Sequence, residues 1–249
     1  MNEFEGLAAI VTGGASGIGA ATVKLLRERG AKIAIFDRDR VDEMEGLISL
    51  VCDITHASAV EEAVSKVVAK FGGIDILINN AGIGAAGDIA ANDDDEWRRV
   101  LDVNVISIAR VTRAALPFLR LSKFAAIVNT SSVVATVGVP NRALYSASKG
   151  AVASLTRAMA ADHIHEKIRV NAVMPATADT PWVARILDQS NNPKEASDAL
   201  KARQPMGRLI TADEVAYAIV YLASPSALST TGTVLSVDGG MNGIQVPAR

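Results

Sequence analysis

Several residue types are scarce in this sequence, and each scarcity excludes a class of protein. Its 249 residues include a single cysteine, Cys52, so an internal disulfide framework is excluded and a reducing compartment is expected. Of three histidines, His163 and His165 lie two positions apart and therefore on different faces of a predicted helix, and His56 is isolated. No metal-ligand set forms from these residues, so we expect no bound metal and no zinc chemistry.

Excess charge and long apolar runs are missing as well. A formal net charge of −2 gives no electrostatic reason to expect nucleic acid or an anionic membrane as a partner. The acidic N-terminus, MNEFEGLAAIVTGG, fits neither a signal peptide nor a transit peptide. No apolar run approaches the roughly 20 residues that a membrane span needs. We therefore expect a soluble, cytoplasmic protein that acts on a small molecule.

What the sequence does contain is a regular alternation of short apolar runs and longer amphipathic ones. Near-continuous apolar runs with β-branched residues are typical of parallel strands covered on both faces. The predicted strands are 7–14, 32–37, 47–53, 74–82, 125–132, 168–175 and 233–240. The predicted helices are 18–29, 57–71, 95–121, 144–166 and 212–223. This order predicts a single α/β domain over residues 1–249, a Rossmann-type doubly wound parallel sheet of seven strands with helices on both faces.

One long stretch, residues 176–210, interrupts this order between the sixth and seventh strands. It is punctuated by proline and asparagine and is predicted to contain no strand. Insertions of this length are more often functional than idle, so we expect it to form a substrate loop.

A glycine-rich turn, TGGASGIG, links the first strand to the first helix. Gly13, Gly17 and Gly19 allow a tight turn, close approach of the backbone and free N–H groups at the helix start, which together hold a pyrophosphate. Asp37 ends the second strand about 20 residues later, where a carboxylate accepts a hydrogen bond from a ribose hydroxyl. That carboxylate repels a 2′-phosphate and favours NAD, although Arg38 and Arg40 keep NADP open.

Polar residues end the next two predicted strands at the same edge of the sheet. Asp53 follows the third strand and is either a cofactor ligand or an ordinary turn residue. Asn79 begins the segment NNAG, which ends at Gly82 and follows the fourth strand. Two amides at this edge suit cofactor binding and helix support, but a plain turn remains open.

The segment ALYSASKGAV places Tyr145 and Lys149 four positions apart, and therefore on one face of a helix. A free phenol has a pKa near 10, too high for proton transfer at neutral pH. A neighbouring ammonium stabilises the phenolate, so we expect Lys149, together with an oxidised nicotinamide, to lower the pKa of Tyr145. Spacing alone also allows an idle surface pair.

In its order of motifs, the chain resembles a short-chain dehydrogenase/reductase of the typical single-domain kind. The motifs are TGGASGIG, Asp37, Asp53, NNAG, Asn104, Ser131-Ser132, YSASK and the terminal VDGG. The resemblance implies an oxidoreductase that interconverts a secondary alcohol and a ketone. It implies Tyr145 as general acid/base, Lys149 as the group that lowers its pKa and holds the nicotinamide ribose, Ser132 as the donor to the substrate oxygen, and Asn104 as support for a water relay.

The same resemblance implies a set of residues that bind the cofactor. They are Gly13, Ser16, Gly17, Ile18, Gly19, Asp37, Asp53, Ile54, Asn79, Ala81, Gly82, Tyr145, Lys149, Pro175, Thr177 and Thr180. Thr180 is expected to meet the nicotinamide carboxamide. Two features depart from the family: Ala176 replaces a usual glycine, and the segment 38–46 is short, which predicts a stunted crossover helix and an open adenine pocket.

Three arginines, Arg142, Arg185 and Arg203, are candidates for binding the substrate. Guanidinium groups suit a carboxylate through paired hydrogen bonds, although any single arginine is more often solvated surface. The segments NRALYSASK, TADTPW and LKARQPMGR resemble a subgroup that acts on sugars, sugar acids and 3-hydroxybutyrate. We therefore expect a small polar hydroxy acid, sugar acid or sugar as substrate. A carbonyl reductase for apolar ketones, a non-catalytic NAD-binding sensor and a ligand-free structural protein are the alternatives.

Assembly is the last expectation from the sequence. In the family that the chain resembles, the helices predicted at 95–121 and 144–166 pair between subunits to form tetramers. We therefore expect a homotetramer, while packing of these helices against their own sheet alone remains open.

Overall fold

The computed structural model describes residues 2–188, 190 and 192–246. Its main sheet consists of parallel strands in the order β3-β2-β1-β4-β5-β6-β9. These strands are β1 (Ala8–Thr12), β2 (Lys32–Asp37), β3 (Leu47–Val51), β4 (Ile76–Asn79), β5 (Ala126–Thr130), β6 (Arg169–Pro175) and β9 (Val234–Val237). The strand order reverses between β1 and β4, so the sheet is doubly wound, as the sequence predicts, and its crevice lies at that switch point.

Helices cover both faces of this sheet. They are α1 (Gly17–Glu28), α2 (Ala57–Phe71), α3 (Asp94–Leu101), α4 (Ser107–Leu119), α5 (Ala143–His163) and α8 (Ala212–Ala223). One apolar core lies between the sheet and α2, α4 and α5, and a second lies between the sheet and α1 and α8. Because both faces of the central strands are buried, their sequences are continuous apolar runs rather than alternating ones.

Five of the predicted strands run past the observed ones at their carboxyl ends, whereas the second and sixth end at Asp37 and Pro175 as predicted. The fourth, for example, is predicted over residues 74–82 but leaves the ladder after Asn79. The third ends at Val51, two residues before Asp53. The residues beyond these strands form loops at the rim of the crevice. The segment 38–46 contains no helix and only a bridge between Met44 and Leu47, as its short length predicts.

The predicted helix 95–121 is wrong as one continuous element. A π-helical turn, Asp102–Ile106, separates α3 from α4. Such a turn adds a residue to the helix without changing its apolar pattern enough to be seen in the sequence. In this chain the turn carries Asn104, whose side chain points inward.

The expectation that residues 176–210 contain no strand is also wrong. This segment, which we term the lid, contains β7 (Ala178–Asp179), α6 (Pro181–Asp188) and α7 (Pro193–Ala202). It ends at β8 (Ile210–Thr211), which pairs with β7 in a small parallel sheet. The carbonyl oxygen of Thr177 accepts hydrogen bonds from Ile210 N at 3.3 Å and from Gln204 Nε2 at 3.2 Å. The two ends of the lid are therefore tied together at its base.

Among the helices in residues 2–188, 190 and 192–246, none is both long and apolar enough to cross a membrane.

Candidate active site

A cavity of about 720 Å³ opens at the carboxyl ends of the parallel strands. The loops after β1 to β6 form its walls, and the lid closes part of it. This is the position at which doubly wound sheets bind ligands, and the volume lies in the upper part of the usual range for ligand sites.

The glycine-rich turn forms one end of the cavity. Gly13 and Gly17 have positive φ values of 66° and 54°, which other residues adopt only with strain. A Cβ at Gly19 would overlap the carbonyl oxygen of Gly13, so this glycine lets the helix pack against the turn. Asn80 donates from Nδ2 to the carbonyl oxygens of Thr12 and Gly13 at 3.1 and 3.2 Å, and so holds the turn in place.

Two carboxylates lie beside this turn. Asp37 accepts a hydrogen bond from Ala15 N at 3.0 Å, so the end of β2 is joined to the glycine-rich turn. Asp53 accepts hydrogen bonds from the backbone N and the hydroxyl of Thr55, and these bonds hold the pKa of its carboxyl below the ordinary value. Asp53 is therefore charged at neutral pH, and both carboxylates line the cavity.

The residues present fit a dinucleotide. Two glycines of the site lie where the surrounding chain is close-packed: a Cβ at Gly13 would lie 2.9 Å from Ala81 Cα, and one at Gly82 would lie 3.3 Å from Lys149 Nζ. The predicted cofactor residues that line the cavity are Gly13, Ser16, Gly17, Ile18, Asp37, Asp53, Ile54, Ala81, Gly82, Tyr145, Lys149, Pro175, Thr177 and Thr180. Gly19 is not among the lining residues, because its place is inside the turn.

Asn79 does not line the cavity either, contrary to the expectation from the sequence. It is 4% exposed, and its Nδ2 donates to Asn129 Oδ1 at 2.9 Å. Asn129 in turn donates to the hydroxyl of Thr156 at 3.0 Å. This buried chain of side chains joins β4, β5 and α5, so Asn79 helps to hold the helix that carries Tyr145 and Lys149.

Tyr145 and Lys149 share one face of α5, as their spacing predicts. Nζ of Lys149 lies 5.8 Å from the centroid of the Tyr145 ring and donates to the carbonyl oxygen of Thr130 at 2.8 Å. Lys149 is 4% exposed, whereas Tyr145 is partly exposed and lines the cavity. The hydroxyl of Ser131 donates to the carbonyl oxygen of Lys149 at 2.8 Å and so attaches α5 to the end of β5.

In the protein alone, burial raises the pKa of the Tyr145 hydroxyl, while Ser132 and the Arg142 guanidinium oppose this rise. Burial also lowers the pKa of Lys149 from 10.5 to about 8. With a pKa of about 8, the Lys149 amine is still mostly protonated at pH 7. The Arg142 guanidinium is a second positive charge, which acts to lower the pKa of the phenol. The expectation from the sequence, that Lys149 and an oxidised nicotinamide together lower the pKa of Tyr145, concerns the protein with its cofactor and stays a prediction.

Ser132 and Asn104 complete the polar groups around Tyr145. Ser132 lines the cavity, and its hydroxyl donates a long hydrogen bond of 3.4 Å to the carbonyl oxygen of Pro175, so it is weakly held and free to meet a ligand. Asn104 lies behind the cavity wall. Its amide pairs with Ile83 through the backbone N and O, at 2.8 and 2.9 Å, and donates to Ser148 Oγ at 3.1 Å. The π-helical turn aims Asn104 at α5 in this way.

The three candidate arginines all line the same cavity, beyond Tyr145. Arg142 is half-buried and donates to the carbonyl oxygen of Ala85 at 3.2 Å. Burial and the nearby charge of Arg203 both lower the pKa of Arg142. Arg185 and Arg203 are exposed and come from the lid helices α6 and the end of α7. Arg142 and Arg203 repel each other, and an anionic ligand bound between them would reduce this repulsion.

The sequence argument missed several residues of the cavity wall, chiefly apolar ones such as Val133, Val139 and Trp182. Val133 and Val139 carry no signal beyond their positions between Ser132 and Tyr145. Trp182 carries a weak one, since it is one of only two tryptophans and lies in the lid.

Comparison with known proteins identifies the family. A family model described as "Enoyl-(Acyl carrier protein) reductase" matches residues 13–242. Cis-4-hydroxycyclohexanecarboxylate dehydrogenase of Sinomonas cyclohexanicum is 39% identical over 95% of this chain and 96% of its own length. The chain belongs to the short-chain dehydrogenase/reductase family. It is an oxidoreductase that acts on CH–OH groups with a nicotinamide dinucleotide.

Solved structures agree with this assignment. Aldohexose dehydrogenase of Thermoplasma acidophilum superimposes with a TM-score of 0.91 at 33% identity, covering 99% of both chains. A 3-ketoacyl-(acyl-carrier-protein) reductase from Brucella melitensis, complexed with NADH, superimposes with a TM-score of 0.87 at 35% identity, covering 96% of this chain and 99% of the other.

Proposed function

We propose that the chain interconverts a secondary alcohol and a ketone on a small hydroxy or oxo acid, with NAD as the cofactor. The observation that carries this proposal is the placement of three arginines in the same cavity as Ser132 and Tyr145. Asp37 beside the glycine-rich turn supports NAD, because its carboxylate suits a free ribose 2′-hydroxyl and repels a phosphate.

The proton chemistry belongs to the chain's own residues. In oxidation, Ser132 orients the substrate hydroxyl by a hydrogen bond, and the ionised oxygen of Tyr145 accepts its proton. Lys149 and Arg142 stabilise the phenolate that must form before this transfer, and Asn104 fixes the backbone of residue 83 beside α5. The nicotinamide supplies the hydride acceptor in oxidation and the hydride donor in reduction. Reduction uses the same groups in reverse order.

Cofactor choice is tested at Asp37. Asp37→Ser removes the negative charge that repels a 2′-phosphate, while Arg38 remains beside the cavity. We expect the ratio of kcat/KM for NADP to that for NAD to rise about 100-fold, since one charged hydrogen bond is lost and one repulsion is removed. Steady-state kinetics with both cofactors measures this ratio. Asp42→Ser, an exposed carboxylate in the same segment, is the matched control. An unchanged ratio in Asp37→Ser would contradict the assignment of NAD.

The carboxylate is tested at Arg142 and Arg203. Each alanine variant is expected to raise KM for a hydroxy acid on the order of 10- to 100-fold, because a charged hydrogen bond is removed, and to leave KM for its methyl ester unchanged. Arg98→Ala, an exposed arginine of α3 paired with Asp95, serves as the control. Equal turnover of acid and ester by the wild type, together with no KM change in the variants, would refute an acidic substrate.

We also propose a homotetramer in the cytoplasm. Ile106 directly precedes α4, Phe124 lies in the loop between α4 and β5, and Ile164 directly follows α5; each is between 42 and 47% exposed. Pairing of α4 and α5 between subunits would bury these side chains. The mass in solution, measured by light scattering, decides between this assembly and a monomer.

A further inference from the structure

The two ends of the cavity differ in chemistry. The end at the glycine-rich turn carries three carboxylates, those of Asp37, Asp39 and Asp53. The other end lies around Ser132 and Tyr145, and its wall is mainly apolar. This difference bears on what the substrate can be, because a ligand site rejects polar groups for which it has no partner.

Three valines form the cavity wall that lies opposite the lid. Val133 and Val134 directly follow Ser132, and Val139 lies in the loop that leads to Tyr145. Val133 is 4% exposed, so it is held by the protein interior rather than adjusting to a ligand. The segment between Ser132 and Tyr145 therefore lines the cavity with branched apolar side chains.

The lid supplies the opposite wall, with Trp182 and Val183 of α6 and Leu200 of α7, and Met241 joins them from the turn after β9. The Trp182 indole packs directly on Gly84. A Cβ at that position would overlap Cζ2 of the indole and lie 2.9 Å from its Cη2. Gly84 thus makes the space in which a flat aromatic ring covers this end of the cavity.

Apart from Lys149, the polar side chains at this end carry hydroxyls or guanidinium groups. Besides Ser132 and Tyr145, the lining includes the hydroxyls of Thr130, Ser131, Thr177 and Thr180, and its charged groups beyond Tyr145 are arginines, which donate hydrogen bonds but accept none. Among the lining residues in the described part of the chain, no Asp, Glu, Asn, Gln or His lies at this end. A sugar would bring several hydroxyl groups here, and their hydrogens would find hydroxyl oxygens as side-chain acceptors but no carboxylate or amide. A carboxylate accepts hydrogen bonds only, and so matches the arginines.

We infer that the substrate is a compact carboxylate with an apolar body, an alicyclic or branched aliphatic hydroxy or oxo acid, rather than a sugar or a sugar acid. This inference rests on the proposed function, and narrows its substrate class. The carboxylate lies with Arg142 and Arg203, the carbon that is oxidised lies at Tyr145 and Ser132, and the apolar body lies between the valines and Trp182.

Binding of unreactive ligands tests the inference without requiring the hydroxyl position to be known. We use NADH-loaded protein and isothermal titration with cyclohexanecarboxylate, cyclohexanecarboxamide and gluconate. The carboxylate is expected to bind at least tenfold more tightly than either other ligand, since on the order of tenfold is lost for one unpaired polar group. Trp182→Ala should weaken its binding about fivefold to tenfold and Trp182→Phe less. Ile89→Ala, an exposed apolar residue outside the cavity wall, should have no effect.

The possible outcomes separate this inference from the proposed function. Gluconate binding as tightly as cyclohexanecarboxylate overturns the apolar body and leaves the carboxylate proposal intact. Equal binding of the carboxamide and the carboxylate overturns the carboxylate proposal instead. Binding of none of the three ligands below about 10 mM, or a Trp182→Ala variant that binds like the wild type, overturns the inference.

Discussion

Tyr145→Phe is expected to reduce kcat by about 10³- to 10⁴-fold while leaving NADH binding within about twofold of the wild type. The substitution keeps the ring, which packs against the small apolar cluster of Val100 and Leu144, and removes only the hydroxyl that the proposed mechanism uses for proton transfer. A positioned acid/base contributes about 10²- to 10⁴-fold to a rate. The Tyr145 hydroxyl is hydrogen-bonded to Ser132 and so well positioned, and we expect the upper part of that range.

Kinetics and NADH fluorescence on the same preparation measure the two quantities. Tyr221→Phe removes the hydroxyl of an exposed tyrosine on α8 and should match the wild type in both. A Tyr145→Phe variant within tenfold of the wild-type kcat would show that another group moves the proton. If the wild type itself binds NADH but oxidises no alcohol, while Tyr145→Phe changes nothing, a non-catalytic sensor becomes the better description.

The placement of Tyr145 and Lys149 on one face of α5 could be predicted from the sequence, because residues four positions apart on a helix lie on the same face. Asp37 could be placed in the same way, since it ends a buried strand that lies next to β1 in a doubly wound sheet. Both predictions use only local geometry and the rule that parallel strands end at one edge.

Other features depend on distant contacts and could not be predicted. The π-helical turn around Asn104 adds a residue that leaves the apolar pattern of the helix intact. Asn79 looks like a residue at the cavity edge, yet its amide faces Asn129 on the neighbouring strand. The direction in which the Tyr145 pKa shifts depends on how deeply its hydroxyl and Lys149 are buried. That burial is set by the whole fold rather than by the spacing of the two residues.

The structure of the lid could also not be predicted from the sequence. The length of the lid predicts a functional insertion, but its position depends on contacts between residues distant in sequence, such as Trp182 on Gly84 outside the lid and Gln204 on Thr177 within it. No sequence motif indicates these contacts. The three arginines could be named as candidates from the sequence, and only the fold places them in the cavity that holds Tyr145.

Lys149→Met should have opposite effects on activity and stability. Lys149 is 4% exposed, and burial lowers its pKa from 10.5 to about 8. Above about pH 10.5 neither the folded nor the unfolded chain protonates this amine. Between about pH 10.5 and 8 the unfolded chain binds a proton that the folded chain does not, so the folded state loses stability as the pH falls. Below about pH 8 both states carry the proton, and the cost stays constant at about 3 kcal/mol.

Methionine has a similar length and no charge, so the variant should avoid this cost and lose only the hydrogen bond to Thr130, worth about 1 kcal/mol. We expect the free energy of unfolding at pH 7 to rise by about 2 kcal/mol, which is a rise in Tm of about 4 to 8 °C for a chain of this size. We expect kcat/KM to fall at least 100-fold, because the phenolate loses a neighbouring cation. Denaturant unfolding from pH 7 to 10.5 and steady-state kinetics measure the two effects.

The pH dependence separates this explanation from better packing of methionine. The stability difference between variant and wild type should be constant below about pH 8 and should shrink toward pH 10.5, whereas a packing gain would not change with pH. Cys52, whose pKa burial raises to about 11, titrates alike in both proteins and cancels in the difference. Lys70→Met, at an exposed position of α2, should gain no such stability. A Lys149→Met variant that is less stable than the wild type at pH 7 would mean that the buried ammonium is better stabilised than its surroundings indicate, and that it remains fully charged where the proton is transferred.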